Sequence, residues 1–90
     1  MAQHLTSTTP ATLVADGVRV TNNLALTGTI TVSVAGSTQY GTPAATIAVI
    51  TNPVVGEVHA YHGLRTQGTI SVTPSTTCDI SVDAIGPGQS

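Results

Sequence analysis

The stretch Leu24-Ala25-Leu26-Thr27-Gly28-Thr29-Ile30-Thr31-Val32-Ser33-Val34 decides the fold class. Leu24, Leu26, Ile30, Val32 and Val34 share one parity, with Gly28 in the gap, while Ala25, Thr27, Thr29, Thr31 and Ser33 share the other. A period of two is the pattern of a strand with one face in a core. On a helix the same apolar residues would be scattered around the circumference, and β-branched Thr, Ile and Val would lose side-chain freedom that a pleated surface leaves them.

The pattern extends outward from this strand. Downstream, Leu64, Ile70 and Val72 alternate with Arg65, Gln67, Thr69, Ser71 and Thr73, and Cys78, Ile80, Val82 and Ala84 alternate with Thr77, Asp79, Ser81 and Asp83. Upstream, residues 11–15 and 18–21 flank Asp16-Gly17, a dipeptide suited to the positive φ angles of a type I′ turn, so a hairpin is expected there. Asn22-Asn23 makes a second turn, and residues 35–43 are loop chemistry throughout. Residues 44–50 are apolar on both parities, which predicts a strand covered on both faces or lying at a subunit contact. After Thr51-Asn52-Pro53 a strand over 54–61 is expected, with Val54, Gly56, Val58 and Ala60 on one face and Val55, Glu57, His59 and Tyr61 on the other. His62-Gly63 reads as a tight turn. The prediction is an all-β chain: a compact antiparallel β-sandwich or small barrel of about seven strands, with Greek-key or meander connections. Residues 1–10 read as an extended polar arm, 11–84 as the β domain and 85–90 as a flexible tail. Leu24 with residues 28–33 and Leu64 with residues 68–73 match at a spacing of forty residues, the match expected of two half-exposed strands in a Thr-rich chain.

Composition limits how such a chain is held together. A domain of 90 residues buries roughly 60–68% of its unfolded surface, and this one has no Phe or Trp and only Tyr40 and Tyr61 to bury. Cys78 has no partner within the chain, so a disulfide cannot compensate, and oligomerisation becomes the expected remedy. The cations are Arg19 and Arg65, against Asp16, Glu57, Asp79 and Asp83, for a formal charge of −2. Two Arg in separate strands cannot neutralise several phosphates, which argues against nucleic acid as a partner. No run approaches the ~18 apolar residues of a membrane span. The first ten residues have neither a basic nor an apolar signal region, so the chain is expected to stay where it is made.

Chemistry-bearing residues are few. Glu57 and His59 share a strand face, but a metal needs further ligands and His62 falls on the other parity, so solvated polar residues are expected rather than a metal site. There is no Gly-x-Ser-x-Gly elbow, and Cys78 alternates inward, where a thiol acts as a small hydrophobe. Asp79 and Asp83 lie about 13 Å apart along a strand, too far for a glycosidase pair. Gly86-Pro87-Gly88 opens no helix that could cradle a phosphate. The hydroxyls around Thr27, Thr29 and Thr31 read as a solvated sheet face. The expectation is a non-enzyme without cofactor.

Small size, richness in Thr, Ala, Val and Gly, sparse charge, a polar arm and a strand apolar on both faces together resemble the small decoration or cement proteins of tailed bacteriophage capsids. The resemblance covers the whole chain and rests on size and composition, with no motif. It implies a symmetric homo-oligomer, such as a trimer, that docks on a major capsid protein and stabilises the shell, using no catalytic residue. The implied location is the capsid surface of the virion, after synthesis in the host cytoplasm. Leu5, Ile47, Val49, Ile50 and Tyr61 are the candidate subunit or capsid contacts. The alternative is a monomeric immunoglobulin-like module that recognises a ligand through loops such as residues 35–43.

Overall fold

The computed structural model describes residues 2–86. It contains eight strands: β1 (Ala2–Leu5), β2 (Ala11–Leu13), β3 (Gly17–Asn22), β4 (Thr29–Val34), β5 (Ala45–Thr51), β6 (Val58–His62), β7 (Ile70–Pro74) and β8 (Ile80–Ile85). They form two four-stranded antiparallel sheets of order β1-β8-β3-β6 and β2-β7-β4-β5. First pairs with last, second with seventh, third with sixth and fourth with fifth. The chain is therefore one long antiparallel hairpin, closed at residues 35–44 and wrapped so that β3–β8 and β4–β7 complete the sheets. This double Greek key is the jelly-roll form of the β-sandwich.

The alternation read from the sequence places the core. Ile30, Val32 and Val34 of β4 and Ile70 and Val72 of β7 face Val18 and Val20 of β3 and Ile80 and Val82 of β8, all buried. Leu26, Leu64 and Cys78 seal the ends, while Leu24 is exposed because the strand begins only at Thr29. The two stretches that match at forty residues are neighbours, β4 and β7, paired through Val32 and Val72. Their likeness follows from like surroundings, with a packed inner face and a hydroxyl-lined outer one. Along that outer face Thr12, Ser71, Ser33 and Thr46 form one row across all four strands.

Three expectations fail for identifiable reasons. Asp16-Gly17 makes no hairpin, because β2 lies in one sheet and β3 in the other. Gly17 is required instead by close approach, since a Cβ there would stand 2.3 Å from the Tyr61 carbonyl oxygen. Residues 2–5, read as part of an arm, are a strand paired with β8, and Leu5 enters the core. The doubled apolar parity of residues 44–50 reflects a β-bulge, not two covered faces. The register with β4 shifts between Val32 and Ser33, so the chain skips Ile47, and Ile47 as well as Ile50 reaches the core. A bulge re-aims side chains in this way. Of the expected tail, Ile85 closes β8 as a buried residue, and residues 87–90 lie outside the described residues.

Because the centre of the interior is built from Ile and Val, truncating one in either sheet should be costly. Ile70→Ala and Ile80→Ala are each expected to lower unfolding stability by about 2–5 kcal/mol in urea titrations. Val14→Ala, at an exposed position, is expected to stay within about 0.5 kcal/mol.

Candidate functional site

Connections β3–β4, β5–β6 and β7–β8 meet at one end of the sandwich, and there the β5–β6 loop is held to an unusual degree by one residue. Asn22 ends β3 and is 1% exposed. Its backbone N–H donates to the Glu57 carbonyl at 2.9 Å, and its carbonyl accepts from the Gly56 N–H at 2.8 Å. Its Nδ2 donates to the carbonyls of Pro53 at 3.2 Å and Val54 at 2.7 Å. The amide cannot turn over without setting oxygen against two carbonyls, so Oδ1 is left buried and without a partner. An unsatisfied buried acceptor of this kind costs about 1–3 kcal/mol.

The neighbouring turn adds to the clamp. Asn52 adopts a left-handed φ of 48°, which Asn tolerates better than most residues. Its N–H donates to the Gly28 carbonyl at 2.8 Å, and its Oδ1 accepts from the Gly28 N–H at 2.9 Å. The Leu26 N–H reaches the Pro53 carbonyl at 3.2 Å. At the far side of the loop one Glu57 oxygen accepts from the Val54 N–H at 3.2 Å, and the other accepts from His59 Nε2. The His59 bond, then the Val54 N–H, holds the Glu57 carboxyl below the ordinary carboxylate range.

This clamped loop presents bare hydrocarbon. Val54 is 61% and Val55 62% exposed, and Leu24 stands exposed in the segment bonded alongside. Val58 opens β6 on one outer face, and Val49 lies exposed near the end of β5 on the other. Val14 and Tyr40, the remaining large apolar residues exposed among those described, belong to connections at the opposite end. Apolar residues gathered at one end mark an interaction surface more than scattered ones do.

The five contact candidates separate. Leu5 and Ile50 are core residues and cannot touch a partner from within; Ile47 and Tyr61 are half-buried against the core; Val49 is exposed. Their apolar character is answered inside the chain in four cases of five. Strand β6 is shorter than expected, and its faces run against hydropathy: Tyr61 and His59 pair with buried Val18 and Val20 and so point inward, while Val58 and Ala60 point out. His59 and Tyr61 are stacked with ring centroids 6.5 Å apart, and burial, then the Glu57 charge, raises the Tyr61 phenol.

Other charged groups have partners within the chain. The Asp79 carboxylate accepts from His4 Nε2 and from Asn23 Nδ2, and these bonds lower its pKa in that order. Arg19 lies 3.6 Å from Asp83, and Arg65 4.0 Å from Asp16. The Cys78 thiol is buried against the Leu5 carbonyl, and desolvation, then Asp79, pushes it up, away from thiolate chemistry. Among the described residues no three His, Cys, Asp or Glu side chains stand close enough to hold a metal ion, and no helix is long and apolar enough to cross a membrane.

No family model, no curated protein and no solved structure matches the chain.

Two outcomes test this account of the loop. Asn22→Ala removes both side-chain donors; it should cost about 1–3 kcal/mol and speed hydrogen exchange at Gly56 more than in the centres of β4 and β7. The pH dependence follows from Glu57 and Asp79, whose carboxyls are lowered in the folded chain, so the unfolded chain binds protons more readily. Their contribution is complete above the ordinary carboxylate range and is lost as pH falls through the lowered folded values. Unfolding midpoints measured from neutral pH down to about pH 2 should fall less steeply for Glu57→Gln and Asp79→Asn than for the parent chain.

Proposed function

We propose that the chain is a structural protein, not an enzyme, that binds and stabilises an assembled bacteriophage shell as a symmetric oligomer. The observation that carries this reading is the clamped β5–β6 loop with Val54 and Val55 turned to solvent. A loop fixed before contact loses little freedom on binding, so modest apolar area is converted into affinity more fully. On a lattice the same small contact is repeated, and avidity multiplies it. The sparse charge suits docking by apolar and hydrogen-bonded contact rather than electrostatic steering. Jelly rolls occur in viral capsid domains and also in lectins and cupins. Because fold does not fix function, the weight of the proposal stays on the loop.

A second reading is favoured by one observation. At the opposite end Tyr40 is exposed on a turn pinned by reciprocal backbone bonds between Ser37 and Thr42 at 3.0 Å, the geometry of a binding loop over residues 35–43. The strand order is not the immunoglobulin arrangement of ABED and CFG sheets, so a module of this kind would be a jelly roll.

Virions purified from producing cells distinguish the two. The chain is expected in them at a fixed ratio to the coat protein, and Val54→Ser/Val55→Ser should abolish its incorporation without altering the thermal unfolding midpoint, while Tyr40→Ala leaves incorporation intact. Absence from virions, or undiminished incorporation of the double valine variant, would overturn the proposal.

A further inference from the structure

The sandwich is closed on one flank and open on the other. Where β1 meets β2, Leu5 and Ala11 are buried. Where β5 meets β6, the inward-facing Ala48, His59 and Tyr61 stay only half-buried, and Ala45, opposite buried Val34, is exposed. Both flanking strands are sheet edges, paired on one side only among the described residues.

Edge strands are normally blunted by shortness, charge, proline or a bulge. Strand β2 has three residues and follows Pro10; β1 has four, with His4 held by Asp79. Strand β6 has five, with Glu57 beside it and His59 and His62 within it. Strand β5 is the longest in the fold at seven residues, Ala45-Thr46-Ile47-Ala48-Val49-Ile50-Thr51, with neither a charge nor a proline. Its one protective feature is the bulge at Ile47, and Ala48 to Thr51 continue in unbroken register with β4 beyond it.

We infer that β5 pairs antiparallel with β5 of a second copy across a twofold axis, joining the two β2-β7-β4-β5 sheets into one of eight strands and closing the open flank. Two observations select a second copy. An uncharged strand set against itself brings no like charges opposite one another, and Glu57 and His59, the ionisable pair on this flank, already answer each other. The area fits a weak, reversible dimer. Seven residues of β5 span about 23 Å, and with a molecular thickness of 17 Å the flank offers roughly 400 Å² per copy. Two copies bury roughly 800 Å², the range of weak and transient contacts. The inference rests on the reading of the chain as a self-associating shell component and names the surface it uses.

Sedimentation of the full chain from about 1 µM to about 1 mM, the span in which so small an interface should dissociate, tests it. A monomer–dimer equilibrium is expected, with β5 amides exchanging more slowly at high concentration. Val49→Lys, which sets like charges at an exposed edge position, and separately Ala45→Lys, exposed at the open flank, should each weaken the dimer at least about tenfold. Thr12→Lys, exposed on the opposite edge, should leave it unchanged, with circular dichroism confirming that all three variants are folded. A monomer throughout the range, an assembly that both β5 variants leave intact, or concentration-independent exchange at β5 would overturn the inference. A monomer that still entered virions would end this inference and the preformed oligomer while leaving binding to the shell intact, whereas a β5-dependent dimer absent from virions would end only the shell reading.

Discussion

The constraint on which the molecule depends is the parity lock between β4 and β7. Val32 sits opposite Val72 with Ile30, Val34 and Ile70 on the same side, and a slip of one residue in that pairing would turn one strand's set, Ile30, Val32 and Val34 or else Ile70 and Val72, to water and bring its hydroxyls inward. Register is strongly specified wherever one face is buried and the other polar. The outer strands inherit their positions from this pair: β4 sets β5, β7 sets β2, and the opposing sheet packs β3 and β8 onto the inner face they share. The core can manage without Phe or Trp because eight short strands bring Ile and Val together in two layers, where branched side chains interdigitate well.

How far the fold was legible follows from which strands obey that lock. For β4 and β7, and for β8 as far as Val82, period and burial agree, and the all-β sandwich could be read from them directly. The connectivity could not be. Asp16-Gly17 carries the local chemistry of a hairpin, yet β2 and β3 part company because each has a better partner far along the chain. Asp16 instead accepts the Leu64 N–H at 2.8 Å through its carbonyl, and Gly17 lets β6 come close. The strand 44–50 misled in another way, since a bulge changes parity midway and no residue type announces it. Strand β6 inverts its own hydropathy because an edge strand at an open flank meets water on both faces, so Tyr61 and His59 can turn inward at little cost.

The candidate site was almost invisible beforehand. Val54 and Val55 continue an apolar run and read as strand, and only Pro53 before them and Gly56 after them, at a left-handed φ of 84°, hint that the segment is a loop. Asn22 reads as turn chemistry, whereas it is a buried clamp whose four bonds reach residues more than thirty positions away. No local pattern encodes a long-range side-chain bond. The nearest available signal was the pair of adjacent valines between two turn formers, a composition that a purely connective loop has no need of. The contact candidates drawn from apolarity alone failed where Leu5 and Ile50 were required by the core.

What distinguishes the Asn22 loop from an ordinary connection is that its shape is maintained at a cost. A buried Oδ1 without a partner lowers the stability of a chain with little hydrophobic material in reserve, and exposed valines invite unwanted association. A loop whose only task was to join β5 to β6 could replace the valines with Ser or Asn, leave the turn solvated and avoid both penalties. The opposite end shows that such an alternative is within reach of this chain. There Thr42 Oγ1 donates to the Thr66 carbonyl at 2.7 Å and accepts from the Ser37 N–H at 2.9 Å, a small hydroxyl serving as the tie. One end is thus held by groups that satisfy one another, the other by a group that sacrifices an acceptor to keep hydrocarbon facing outward. A rigid apolar projection has its cost returned only when something apolar covers it, which is the physical reason the proposed contact is drawn at the end where Asn22 is buried.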